Sequence, residues 1–183
     1  MNVLEYTISN KYRSSTPKNF YDPVKHHTGI DIVCPTGTNL VLPFDVTFEK
    51  KLVQAEMGNT MYVKHGENII VFAHLQLTSP FVKGDVIKSG VILGLSGNTG
   101  TASTSPHCHI ELVAPRPDKG LGFMSRELGG FKGYNIDPTN YFKMESGKRW
   151  LAKHFPKFAT IYSEQEAEFF RDYAKKLIEW SKS

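Results

Sequence analysis

The stretch His107-Cys-His-Ile-Glu-Leu-Val113 decides how the chain is read. It has the form of an extended strand, in which alternate side chains face the same way. His107 and His109 then share one face, and Cys108 points to the other, where a small apolar thiol suits a core. Two imidazoles presented together are half of a metal or catalytic site. The other half must come from elsewhere in the chain.

Upstream of that strand, short β-type runs alternate with Gly, Pro and Asn turns. The runs are Ile30 to Val33, Leu40 to Leu42, Val46 to Val53, Thr60 to Lys64, Ile69 to His74 and Val91 to Leu95. With His107 to Val113 they predict a mainly β domain, a small antiparallel sheet or barrel. A length of 183 residues, 40% of them hydrophobic, suits one domain with a modest appendage. The organisation expected is an irregular lead-in over 1–24, the β body over 25–142, and a C-terminal extension over 143–183. Pro115, Pro117 and five glycines between 114 and 133 predict a long surface loop there. Ser163-Glu-Gln-Glu166 has the form of a capping box, and Phe170, Tyr173, Ala174, Leu177 and Ile178 follow at helical spacing. The extension is therefore expected to be an amphipathic helix packed on the body, with docking to a partner the second reading.

His27-Thr-Gly-Ile-Asp31 offers the missing carboxylate and a third imidazole. Residues four apart project to the same side of a helix or a strand, and Gly29 with the run after it favours the strand. Two imidazoles and one carboxylate leave a tetrahedral Zn²⁺ one open position for water, the mark of a catalytic site. Such a water has its pKa lowered to roughly 7, which supplies a nucleophile at neutral pH. Spacing alone does not choose between His107 and His109 as the second imidazole ligand. His74 ends the apolar run Ile-Ile-Val-Phe-Ala-His and lies between the two segments, which raises a catalytic role over a packed one. His26 points away from the site if its segment is extended and is left out, and His65 and His154 are read as structural. Cys34 and Cys108 are read as buried thiols facing away from the site, since no close cysteine pair of the zinc-ribbon type is present.

A formal charge of +4 and dispersed lysines argue against a nucleic-acid stripe, while mild basicity favours encounter with a polyanionic surface. No run is apolar for long enough to span a bilayer, and the first residues lack the pattern of a signal peptide.

In order, these segments resemble the lysostaphin-type, LytM-like zinc metallo-endopeptidases that cut peptidoglycan peptides. The resemblance runs from about Lys25 to Phe142. It rests on His-Thr-Gly-Ile-Asp-Ile-Val, Phe-Ala-His-Leu75, the glycine-rich Val82 to Gly100, and Pro-His-Cys-His-Ile-Glu-Leu112. It implies one Zn²⁺ per chain held by His27, Asp31 and His109, with His74 and His107 as the unligated catalytic pair. It also implies an antiparallel β fold with the metal in a groove, and bacterial peptidoglycan as the substrate. Phe72 stands where Tyr is common, and Cys108 where a larger apolar residue is common.

The bond cut, a glycine bridge or a D-alanyl-diaminopimelate link, is not legible. Two other classes stand beside this reading: a non-catalytic cell-wall-binding or regulatory module, and a metallopeptidase acting on protein. Action at the cell wall without a visible signal peptide suits a phage-encoded lysin released by lysis or carried on the virion, or a chain whose signal has been removed. Oligomeric state is left open.

Overall fold

The computed structural model describes residues 7–13, 27–76, 80–116, 124–139, 141–143 and 145. The chain divides into two compact units, Met1–Thr139 and Asn140–Ser183. The amphipathic helix expected from Ser163 lies outside the described residues. Among the described residues no helix is long and apolar enough to cross a membrane.

The first unit is antiparallel β. Its strands are β1 (Ile8–Asn10), β2 (Ile30–Val33), β3 (Asn39–Val41), β4 (Val46–Gln54), β5 (Gly58–His65), β6 (Asn68–Leu75), β7 (Val86–Ile87), β8 (Ile92–Leu95), β9 (His107–Ala114), β10 (Met124–Leu128) and β11 (Phe131–Ile136). The main sheet runs β1-β2-β9-β6-β5-β4-β7, and the β10–β11 hairpin joins it by pairing β11 with β9. A second sheet is made of β3 and β8. All seven strands expected between Ile30 and Val113 form.

Register sorts the residues into two faces. Ile30 pairs with Ile110 and Ile110 with Phe72, Ile32 pairs with Cys108, and Leu112 with Ile70. These seven side chains are all buried, none more than 3% exposed. Full burial of one such large apolar side chain is worth roughly 1.5–3 kcal/mol, so this face anchors the middle of the sheet. The opposite face carries Asp31, His109 and Ala73 in one row and Glu111 with Val71 in the next. Along that face Met57, Tyr62, Ile69, Val71, Ala73, Val113 and Leu128 form an apolar cluster. The polar row is thus set on the same sheet surface, beside a packed apolar floor.

Two expectations need correction. The lead-in over 1–24 is not irregular throughout, because Ile8 and Asn10 pair with Ile32 and Asp31 as strand β1. Its scattered turn formers conceal a three-residue strand that is formed by its partner and not by its own pattern. The long loop expected over 114–133 contains a hairpin: β9 extends to Ala114, and β10 and β11 pair from Met124↔Asn135 to Leu128↔Phe131. Gly129 and Gly130, read as loop formers, are its two-residue turn, with φ of 57° and 81°. That left-handed pair is what a tight hairpin requires.

Candidate metal centre

β2 and β9 are adjacent and antiparallel, with Asp31 opposite His109 and Val33 opposite His107. Gly29 permits the approach that brings His27 in as well: a Cβ there would lie 2.1 Å from the Ile110 carbonyl oxygen and 3.0 Å from the His109 ring. The result is a triangle of donor atoms. His27 Nε2 lies 3.2 Å from Asp31 Oδ1 and 3.1 Å from His109 Nδ1, and His109 Nδ1 lies 2.8 Å from Asp31 Oδ1. A zinc-sized ion with tetrahedral bonds of about 2.1 Å holds its ligand atoms about 3.4 Å apart. The three atoms stand at nearly that separation and can hold one metal ion between them.

The outer edges of the same side chains decide which atoms face inward. His27 Nδ1 donates to the Lys11 carbonyl at 3.1 Å, which leaves Nε2 with its lone pair toward the triangle. His109 Nε2 is 3.2 Å from Glu111 Oε1 and donates to it, which turns Nδ1 inward. Asp31 Oδ2 accepts from Asn10 Nδ2 at 3.1 Å, so Oδ1 is its inward atom. Three acceptors at such distances repel unless a positive charge sits among them. In the metal-free chain that charge is a proton. Burial pushes the His109 pKa down, but its hydrogen bonds to Asp31 and Glu111 and their charges outweigh burial and raise it to about 9. Burial likewise pushes the Asp31 carboxyl up, yet His109 and His27 hold it well below the usual carboxylate range. Donor types, spacing and orientation therefore all fit a divalent cation in that position.

His107 and His74 stand beside the triangle. His107 Nε2 is 3.8 Å from Asp31 Oδ1, and its Nδ1 donates to the Ser105 carbonyl at 2.7 Å. The His74 ring lies 4.7 Å from that of His107 and 6.0 Å from that of His109. Its Nδ1 donates to the Thr99 carbonyl at 2.8 Å. Strict alternation would send His74 to the wrong face, because its neighbour Ala73 is the residue opposite His109. A β-bulge prevents this. The β5–β6 register shifts between Asn59 and Met61, and His74 takes a left-handed φ of 59°. Histidine tolerates that region better than most residues, though at a cost of order 1 kcal/mol. Burial lowers the His74 pKa to about 4, against the opposing pull of the Thr99 hydrogen bond, so its imidazole is neutral at pH 7.

All five side chains singled out in the sequence are thus brought to one place. Both cysteines are buried and unpaired, as expected, and burial raises both thiol pKa values. Three contributors were missed. Glu111 was signalled by parity, since it shares a face with His107 and His109 along β9. Asn10 and the Lys11 carbonyl had no local signal, because only the pairing of β1 with β2 brings them to Asp31 and His27.

The model of peptidase family M23 matches residues 25–120. The chain belongs to peptidase family M23. Among relatives of this M23 chain, an uncharacterized metalloprotease of Haemophilus influenzae is 36% identical over 115 residues, which is 58% of this chain and 24% of that protein. The peptidoglycan DD-endopeptidase ShyC of Vibrio cholerae is 35% identical over 91 residues, 49% of this chain and 21% of that protein. This chain therefore spans about a quarter or less of the length of these curated relatives. The catalytic domain of the antimicrobial peptidase lysostaphin from Staphylococcus simulans shares the fold, with a TM-score of 0.60 and 20% identity over 77% of this chain and 95% of that domain. The M23 match begins at residue 25 and ends at residue 120, so Asn10, Lys11 and the β10–β11 hairpin lie outside it.

Proposed function

We propose that this chain is a zinc-dependent endopeptidase that hydrolyses peptide bonds in bacterial peptidoglycan. The observation that carries the reading is the inward triangle of His27 Nε2, Asp31 Oδ1 and His109 Nδ1 beside two imidazoles whose Nδ1 edges are already tied to carbonyls. Membership of family M23 supports the reaction class, and a relative named as a peptidoglycan DD-endopeptidase supports the substrate.

His27, Asp31 and His109 would hold the metal. A bound zinc ion would lower the pKa of a coordinated water to roughly 7 and polarise the scissile carbonyl. The chain's own contribution is proton handling. Because Nδ1 of His74 and of His107 each donates to a backbone carbonyl, the opposite ring nitrogen, Nε2, is the one open to exchange. His74, neutral at pH 7, accepts a proton from the attacking water. As the C–N bond breaks, that proton passes from His74 to the departing amine, while His107, next to Asp31, steadies the negative charge on the carbonyl oxygen of the tetrahedral intermediate. The carbonyl tethers keep both rings from turning, so little reorganisation accompanies transfer.

The test is release of new amino termini from purified cell walls. Chelation of the metal, or His109→Ala, is expected to abolish release, and zinc should restore it only to the chelated wild type. Unchanged release after either treatment refutes the mechanism. Digestion of casein but not of cell walls would keep the metal chemistry and overturn the substrate.

A further inference from the structure

Glu111 is fully buried, at 0% exposure, on the sheet face that carries the metal centre. Its cross-strand neighbour is Val71, and the next residue on its own face is Val113. An apolar side chain would serve packing there, and an ionised carboxylate is costly to bury unless its oxygens are satisfied. They are. Oε1 accepts from Thr28 Oγ1 at 2.8 Å and from His109 Nε2 at 3.2 Å, and Oε2 accepts from Asn135 Nδ2 at 3.3 Å.

The three donors come from the segment before β2, from β9 and from β11. Asn135 shows what this arrangement favours. Its amide nitrogen points at Glu111, while its Oδ1 has no hydrogen-bond partner among the described residues. The amide thus spends its donors on the carboxylate and, at 3.5 Å, on the Leu112 carbonyl, at the expense of a buried acceptor. Such a cage is built to hold a negative charge behind His109.

We propose that Glu111 is a positioning residue of the metal centre: it fixes the His109 ring with Nδ1 toward the cation and strengthens that nitrogen as a ligand, while Thr28 and Asn135 hold Glu111 in place. A carboxylate on the outer nitrogen of a ligating histidine sets both tautomer and ring orientation and raises ligand basicity. The β10–β11 hairpin thereby acts on the centre through Asn135, although it lies outside the residues matched by the family. This inference rests on the metal-centre reading given above.

The test compares zinc affinity, by competition with a chromophoric chelator, for wild type, Glu111→Met and Glu111→Gln. Loss of the carboxylate behind a metal ligand typically weakens binding by about 10–100-fold, and Glu111→Met should fall in that range. Glu111→Gln keeps an acceptor for His109 Nε2, and its new amide can donate to Asn135 Oδ1 once that side chain rotates, so it should recover part of the loss. Equal zinc affinity in wild type and Glu111→Met overturns the proposal. Should Glu111→Met fail to fold, the wild type decides. In the cadmium-loaded protein, long-range ¹H–¹⁵N spectra should show His109 coupled to metal through Nδ1, with a slowly exchanging Nε2–H. Coordination through Nε2, or a rapidly exchanging Nε2–H, refutes the role of Glu111 without any variant. Failure of the wild type to bind zinc at all, or cadmium coupling that omits His27 and His109, instead overturns the metal-centre reading.

Discussion

Adding zinc to the metal-free chain should expel about one proton from the protein itself at pH 7, besides any lost by a coordinated water. With its pKa raised to about 9, His109 keeps a proton on Nδ1, the atom that lies 2.8 Å from Asp31 Oδ1 and 3.1 Å from His27 Nε2. The cation must take that place, so the proton has to leave. Two pH units below the pKa the site is about 99% protonated, so release is close to stoichiometric. Asp31 adds nothing to the count, because its carboxyl is held well below the usual range and is ionised throughout. The apparent zinc affinity at pH 7 should be roughly a hundredfold weaker than its limit above pH 9, about 3 kcal/mol. Between pH 7 and 8.5 it should rise about tenfold per unit.

The same proton sets the pH dependence of the metal-free fold. A raised native pKa stabilises the folded state fully below the unfolded histidine value of about 6.5, and that contribution disappears as pH rises through about 9. Calorimetric titration of zinc at pH 7 in buffers of different ionisation enthalpy gives the proton count from the slope of observed enthalpy against buffer enthalpy. A slope near zero, or an affinity flat between pH 7 and 8.5, refutes the placement of His109 Nδ1 in the cation's position.

Asn10→Ala removes the hydrogen bond to Asp31 Oδ2 from a half-buried side chain and should weaken zinc binding about tenfold, at the low end for an outer partner of a ligand; chelator competition measures it, and an unchanged affinity would separate β1 from the metal centre. His74→Ala should lower kcat on cell-wall substrate by about 10²–10⁴ while the protein still binds one zinc per chain, so paired turnover and metal analysis check it, and undiminished kcat removes His74 from catalysis. Gly29→Ala places a Cβ 2.1 Å from the Ile110 carbonyl oxygen and should cost about 1–3 kcal/mol by urea unfolding, with zinc affinity lowered as β2 and β9 are pushed apart; unchanged stability contradicts the close approach.

Much of this protein is determined locally. Alternation in Ile30 to Val33 and His107 to Val113 fixes which side chains share a face, because a strand repeats every two residues whatever its partners. The same parity puts His107, His109 and Glu111 on one face and Cys108 on the other. Motif order along the chain supplied the family resemblance, and with it the choice of His109 as ligand. What sequence could not supply is who stands beside whom across strands distant in the chain. Asn10 reaches Asp31, and Lys11 reaches His27, only because β1 pairs with β2, and three residues of strand have too little pattern to announce themselves. Asn135 reaches Glu111 only because the supposed loop is a hairpin laid on β9. His74 is the plainest case: its place in the chain suggested a role, but alternation would have pointed it away. A bulge with a left-handed φ, set by a register shift against β5, turns it to the site. Which residues are capable of the chemistry is thus written locally; their convergence depends on pairing energies between strands far apart in sequence, which tertiary structure alone decides.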